Sequence, residues 1–150
     1  MAGAGYRFLV VDLDPQGTAT TGVGVSARTL DATVYDVLMR DLPLEDAIEP
    51  TGVRNLFVVP ATIDLAGAEI ELVSVVARES RLQRAIEAYC ATNKVDYVFI
   101  DCPPSLGLLT LNALVATQEV LIPIQCEYYE PEGLGQLLQT ISLVRANPNQ

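Results

Sequence analysis

Short apolar runs, each closed by an acidic residue or a proline, alternate along this sequence with stretches of helical periodicity. That alternation predicts an α/β fold with a mainly parallel sheet and flanking helices. Tyr6 to Asp12 reads as a buried strand, continuous through Phe8, Leu9, Val10 and Val11. Asn55 to Pro60, Asp96 to Asp101 and Glu119 to Gln125 read as the other strands. Helices are expected over Val34–Met39, Leu44–Ile48, Leu65–Cys90 with a break near Ser80, Gly107–Ala116, and Pro131–Ala146. The segment from Pro15 to Gly24 is expected to be a loop. Gly107–Ala116 is apolar almost all round and is therefore expected to be buried, whereas Leu134, Leu137, Leu138, Ile141 and Val144 form one stripe of an amphipathic helix.

Composition removes several kinds of chemistry. Histidine is absent, which excludes Ser-His-Asp and Cys-His catalysis whatever Ser105 or Cys102 might offer. Cys90, Cys102 and Cys126 are odd in number and widely spaced, so neither a disulfide framework nor a zinc site is expected. Cys102 reads as a small buried residue rather than a nucleophile. The net charge is -10, and the nine basic residues are scattered apart from Arg78, Arg81 and Arg84, a poor arrangement for DNA phosphates. No apolar run approaches the roughly 20 residues of a membrane span, and Met1 to Phe8 has no signal-peptide pattern. A cytoplasmic protein without membrane contact is expected. With no repeat and no low-complexity linker, the 150 residues read as one unit.

Two segments carry the chemistry. In Leu9-Val-Val-Asp-Leu-Asp-Pro-Gln-Gly17, residues two apart on a strand share a face, so Asp12 and Asp14 would converge at its carboxyl end if the strand lasts that far. Leu13 would then point into packing. Two acids in a solvated turn is the plainer reading of an isolated D-x-D; the Pro-Gln-Gly that follows favours a shaped site. In Asp96-Tyr-Val-Phe-Ile-Asp-Cys-Pro-Pro-Ser105, an apolar strand ends in Asp101, the form of a Walker B element whose carboxylate holds Mg²⁺ through water.

Four segments in series, VVDLDPQGTATTGVG, PATIDLAGAEIELV, DYVFIDCPPSLGLLTLNALVA and PIQCEYYEPEGLGQLL, resemble the ParA/Soj family of MinD-like P-loop ATPases, from about Gly5 to Arg145. The resemblance implies a partial P-loop NTPase fold. It implies that Asp14 positions or activates the attacking water and that Asp101 holds Mg²⁺, with Asp12 supporting the metal shell. It places Gln16 and Gly17 at the nucleotide, and makes Pro103, Pro104, Ser105 and Gly107 part of a switch. Family members bind ATP-Mg²⁺, form a homodimer around the nucleotide, bind DNA nonspecifically, and hydrolyse ATP under a ParB-like partner in chromosome or plasmid partitioning.

The sequence departs from the family pattern at Thr18, where Asn is usual, and at Glu130-Pro131-Glu132, where Ala-Leu-Glu is usual. A larger departure is that no G-x-x-x-x-G-K-[ST] occurs. The single lysine, Lys94, precedes the Asp96–Asp101 strand and is wrongly placed for a phosphate loop. In the family that loop lies about one helix upstream of the D-x-D, and the DNA-contacting basic residues lie toward the C-terminus. Residues 1–150 are accordingly expected to be an incomplete ParA-type ATPase domain that does not bind ATP alone. The alternative is a non-enzymatic ParA-like module that binds a full-length ATPase or a ParB-like partner. A Rossmann dinucleotide enzyme is disfavoured, because Asp14 would sit where the pyrophosphate belongs.

Overall fold

The computed structural model describes residues 5–26, 30–105 and 107–117. Four strands form one sheet: β1 (Phe8–Asp12), β2 (Glu49–Pro50), β3 (Leu56–Val59) and β4 (Tyr97–Asp101), in the order β2-β3-β1-β4. β1 runs parallel to both β3 and β4, with Val11 opposite Val59 and Ile100, and Asp12 opposite Asp101. Only the two-residue β2 is antiparallel, pairing with β3. Strands β1, β3 and β4 fall where the apolar runs predicted them. The Glu119–Gln125 strand and Pro131–Ala146 helix lie outside the described residues.

The helices are α1 (Thr18–Gly22), α2 (Val34–Arg40), α3 (Ala68–Glu71), α4 (Arg81–Thr92) and α5 (Leu108–Ala116), with 3-10 turns at Leu44–Ala47, Ile63–Gly67 and Leu72–Ser74. Alternation on the strands decides which face they cover. Leu9, Val11, Leu13 and Val59 pack with Val37 and Leu38 of α2, Leu82 of α4, and Leu109 and Ala113 of α5. The opposite face carries a row of aromatic rings. Phe8 stacks on Tyr97 at 5.2 Å and on Phe99 at 6.1 Å between centroids, and Tyr97 and Phe99 are each 47% exposed.

Helix ends follow local chemistry. Thr33 and Asp36 form a capping box at the start of α2, and Asp41, left-handed at φ 53°, ends it. The Leu65–Cys90 helix, expected with a break near Ser80, does break there, and its first part is divided into 3-10 and α pieces. Ala77 adopts a left-handed φ of 56°, Arg78 Nη1 donates to the Val73 carbonyl at 2.6 Å, and regular α4 begins only at Arg81. The expected Leu44–Ile48 helix is a 3-10 turn over Leu44–Ala47. Residues Thr18–Gly22, expected in a loop, form α1 because Gly17 takes the left-handed conformation at φ 66° and Asp12 accepts a hydrogen bond from the Thr20 amide.

α5 is buried along one side as expected, through Leu109, Thr110, Asn112, Ala113 and Leu114. The polar Asn112 in this apolar helix is fully satisfied. Its Oδ1 accepts from the Leu82 amide at 3.2 Å, and its Nδ2 donates to the carbonyls of Arg78 at 2.8 Å and Leu108 at 2.9 Å. Asn112 thereby caps α4, whose own N-cap Ser80 makes no side-chain cap.

Candidate functional site

The carboxyl ends of β1 and β4 lie side by side, and their register brings Asp12 level with Asp101. The Leu13 amide donates to the Asp101 carbonyl at 2.8 Å, extending the ladder one residue beyond the acids. Regular strand geometry ends at Asp12, so alternation does not place Asp14. Instead the Asp14 amide donates to Asp12 Oδ1 at 3.0 Å, which folds the chain over and keeps the acids adjacent. Leu13 is fully buried, as its expected packing role requires.

The three carboxylates have different environments. Asp12 has no exposure, and its Oδ2 accepts from both the amide and the hydroxyl of Thr20, at 2.9 and 2.7 Å. Thr20 Oγ1 in turn accepts from the Ala61 amide at 3.0 Å, so one buried chain of bonds ties β1, α1 and the end of β3 together. Asp14 is half-buried, and its Oδ1 accepts from the Gln16 amide at 3.0 Å, an Asx turn. Asp101 is exposed. Gln16 and Gly17 line an open cavity beyond α1, with Thr20, Asp36, Arg40, Thr62 and Asp64 on its wall. A Cβ on Gly17 would stand 3.1 Å from the Ala61 carbonyl oxygen, so this left-handed position also demands glycine for space.

Desolvation lifts the Asp101 carboxyl above its ordinary pKa, and the charges of Asp12 and Asp14 push the same way. An acid whose folded pKa is raised is at no disadvantage below its unfolded pKa; its destabilising influence builds between the two pKa values and is complete above the folded one. Asp101→Asn is therefore expected to raise the melting temperature at pH 7 in the absence of divalent cations, by about a degree or two. The gain should shrink as pH falls and vanish below about pH 3, where the carboxyl is neutral in both states. Melting curves across that range check the sign. Beside it, burial and then the Asp101 charge push the Cys102 thiol up to about 11, which keeps it protonated and unreactive at neutral pH.

Beyond Asp101 the chain turns through Pro103, Pro104, Ser105 and Gly107 into α5. Thr110 Oγ1 donates to the Ser105 carbonyl at 2.5 Å, and the α5 amides of Leu108 and Leu109 donate to the Glu69 carboxylate at 2.6 and 3.2 Å. Lys94 is exposed at the opposite end of β4 from Asp101. The structure thus gathers Asp12, Asp14 and Asp101 at one end of the sheet, with Gln16 and Gly17 in the adjoining cavity. Thr20 and Glu69 went unnoticed in the sequence, because nothing local marks a threonine or a glutamate whose partners are distant in the chain.

The donor set suits Mg²⁺ in part. That ion is commonly held by one or two carboxylates together with waters and substrate phosphates, and Asp101 offers an exposed carboxylate in a locally negative field. No group of three or more acidic or cysteine side chains able to hold a metal on its own occurs among the described residues. A phosphate cradle with its lysine is also missing from the sequence.

A family model described as an AAA domain matches residues 1–150. The fold is that of the ParA/MinD-like P-loop NTPases. A plasmid partition protein from Borrelia burgdorferi superposes with a TM-score of 0.79 at 21% identity, covering 93% of this chain and 62% of that one. A Mycobacterium smegmatis protein described as cobyrinic acid a,c-diamide synthase, with bound ADP and magnesium, gives a TM-score of 0.88 at 44% identity. That match covers 98% of this chain and 59% of the other. Among curated proteins, the sporulation initiation inhibitor protein Soj of Bacillus subtilis is 55% identical over 99% of this chain and 58% of its own length. The chromosome partitioning protein ParA of Myxococcus xanthus is 52% identical over 99% of this chain and 52% of its own. The chain belongs to the AAA-domain family, and over nearly all of its length it is similar to the relatives named Soj and ParA. It spans a little over half the length of these relatives. No helix among the described residues is long and apolar enough to cross a membrane.

Proposed function

We propose that these residues form the metal- and water-handling part of a ParA-type ATPase that serves chromosome or plasmid partitioning in the cytoplasm. The pairing of Asp12 with Asp101 across adjacent parallel strands, with Asp14 hydrogen-bonded beside them, is the observation that carries the reading. It is supported by relatives named Soj and ParA, and by a neighbour at 44% identity whose structure holds ADP and magnesium.

In this reading Asp101 holds Mg²⁺ through water, and the exposed carboxylate at the strand end suits that role. Asp12 supports the metal shell from within: its buried carboxylate fixes the Asp14 amide and the start of α1. Asp14 orients the attacking water, with Oδ1 held by the Gln16 amide. Gln16 and Gly17 approach the nucleotide, and Pro103, Pro104, Ser105 and Gly107 respond to it as a switch. When bound, Mg²⁺ would neutralise charge on the β- and γ-phosphate oxygens. A nucleotide-sandwiched homodimer, a ParB-like stimulating partner and nonspecific DNA binding accompany this reading for a protein of the relatives' full length.

Phosphate binding depends on backbone amides and a lysine acting together, and neither that loop nor its lysine occurs in these 150 residues. Titration of the chain with labelled ATP and Mg²⁺ is therefore expected to show no binding in the micromolar range. A micromolar Kd would overturn this division of the site.

A further inference from the structure

The start of α5 is fastened to a distant part of the chain by one side chain. Glu69 on α3 places its carboxylate on the N-terminus of α5: Oε2 accepts from the Leu108 amide at 2.6 Å and Oε1 from the Leu109 amide at 3.2 Å. These amides belong to the first turn of the helix, which has no side-chain cap of its own, and a carboxylate there also meets the positive end of the helix dipole. Gly107 makes room for it. A Cβ on Gly107 would collide with the Glu69 carboxyl group, although Gly107 has an extended backbone that any residue adopts.

The segment that carries Glu69 has two faces. Leu65, Ala68 and Leu72 are fully buried against the core, whereas Ile63, Ile70 and Val73 are 68%, 81% and 57% exposed. Its other end is tied to α2, where the Tyr35 hydroxyl donates to Glu71 Oε2 at 2.6 Å. We propose that Glu69 is a positioning residue, a latch that couples the start of α5, whose Thr110 holds the Ser105 carbonyl beyond Asp101, to the 63–74 segment, so that movement of either is transmitted to the other. The assignment stands on these bonds and on the Gly107 contact, and does not require the nucleotide reading.

Gly107→Ala offers a test independent of Glu69→Ala, because it evicts the carboxylate without removing it. Hydrogen exchange of the chain is measured for both single variants and the double variant. Each single substitution is expected to speed exchange by about tenfold in the 63–74 segment and at the start of α5 alike, as loss of hydrogen bonds to a charged acceptor implies. The double variant should go no further than either single one, since both remove the same interaction. Glu69→Gln, which keeps one acceptor oxygen, should restore part of the protection. Acceleration confined to the segment bearing the substitution would overturn the proposal, as would additive effects. Loss of protection throughout, β1 included, would also overturn it, by showing the contact to be an ordinary part of the core.

Discussion

Asp12→Ala is expected to lower the stability of the chain by about 3 kcal/mol, because it strips three hydrogen bonds from a buried charged acceptor and strands their donors. Those donors are the Thr20 amide, the Thr20 hydroxyl and the Asp14 amide, all bound at 3.0 Å or less. A domain's whole stability is about 5–15 kcal/mol, so such a loss is a large share of it. The damage should centre on α1 and on the end of β3, since Thr20 also accepts from the Ala61 amide. Asp12→Asn should fall between wild type and alanine, because one amide oxygen still accepts while the amide nitrogen presents a donor where an acceptor is needed. Urea denaturation of the three proteins gives the order. A loss from Asp12→Ala below about 1 kcal/mol would mean that the carboxylate is not what holds this end of the sheet together.

That role was only half visible in the sequence. Asp12 and Asp101 could be picked out because each closes a run of Val, Ile, Leu or Phe, and the parallel register then sets them level. The same runs revealed β1, β3 and β4. Two-residue β2 left no such trace, since only pairing with Phe57 and Val58 defines it. α1 was missed for a related reason: Thr18-Ala-Thr-Thr-Gly22 has little helical propensity, and a carboxylate eight residues away organises it. The break expected near Ser80 in the Leu65–Cys90 helix is present, and it begins at Ala77 and Arg78, where a left-handed residue and bonds to Val73 and Asn112 override an otherwise helical composition.

Long-range satisfaction of polar groups accounts for the other residues missed. The Glu69 contacts with α5 span 39 and 40 positions, and the Asn112 contact with Leu82 spans 30. Periodicity reports which face of an element is apolar and says nothing about which distant amide a carboxylate will reach. The D-x-D pattern posed a similar difficulty. Alternation would set Asp12 and Asp14 on one face only if the strand lasted through Asp14; it ends at Asp12, and a hydrogen bond brings the two residues together instead.

Asp14 is the residue on which the functional account turns. Its side chain accepts a hydrogen bond from the nearby Gln16 amide, and it is half-buried. Asp14→Ala should therefore cost little stability while removing the group proposed to orient water, a loss of about 10²- to 10⁴-fold in rate. The direct test places this chain in the B. subtilis Soj relative, in exchange for the 149-residue segment it matches there. Binding and hydrolysis of ATP-Mg²⁺ are then measured in that protein with and without Asp14→Ala. The account predicts that the exchanged protein binds and hydrolyses ATP, and that Asp14→Ala abolishes hydrolysis at least a hundredfold while leaving nucleotide affinity within about threefold. A folded exchanged protein that binds ATP without hydrolysing it, or one that Asp14→Ala leaves fully active, would contradict it.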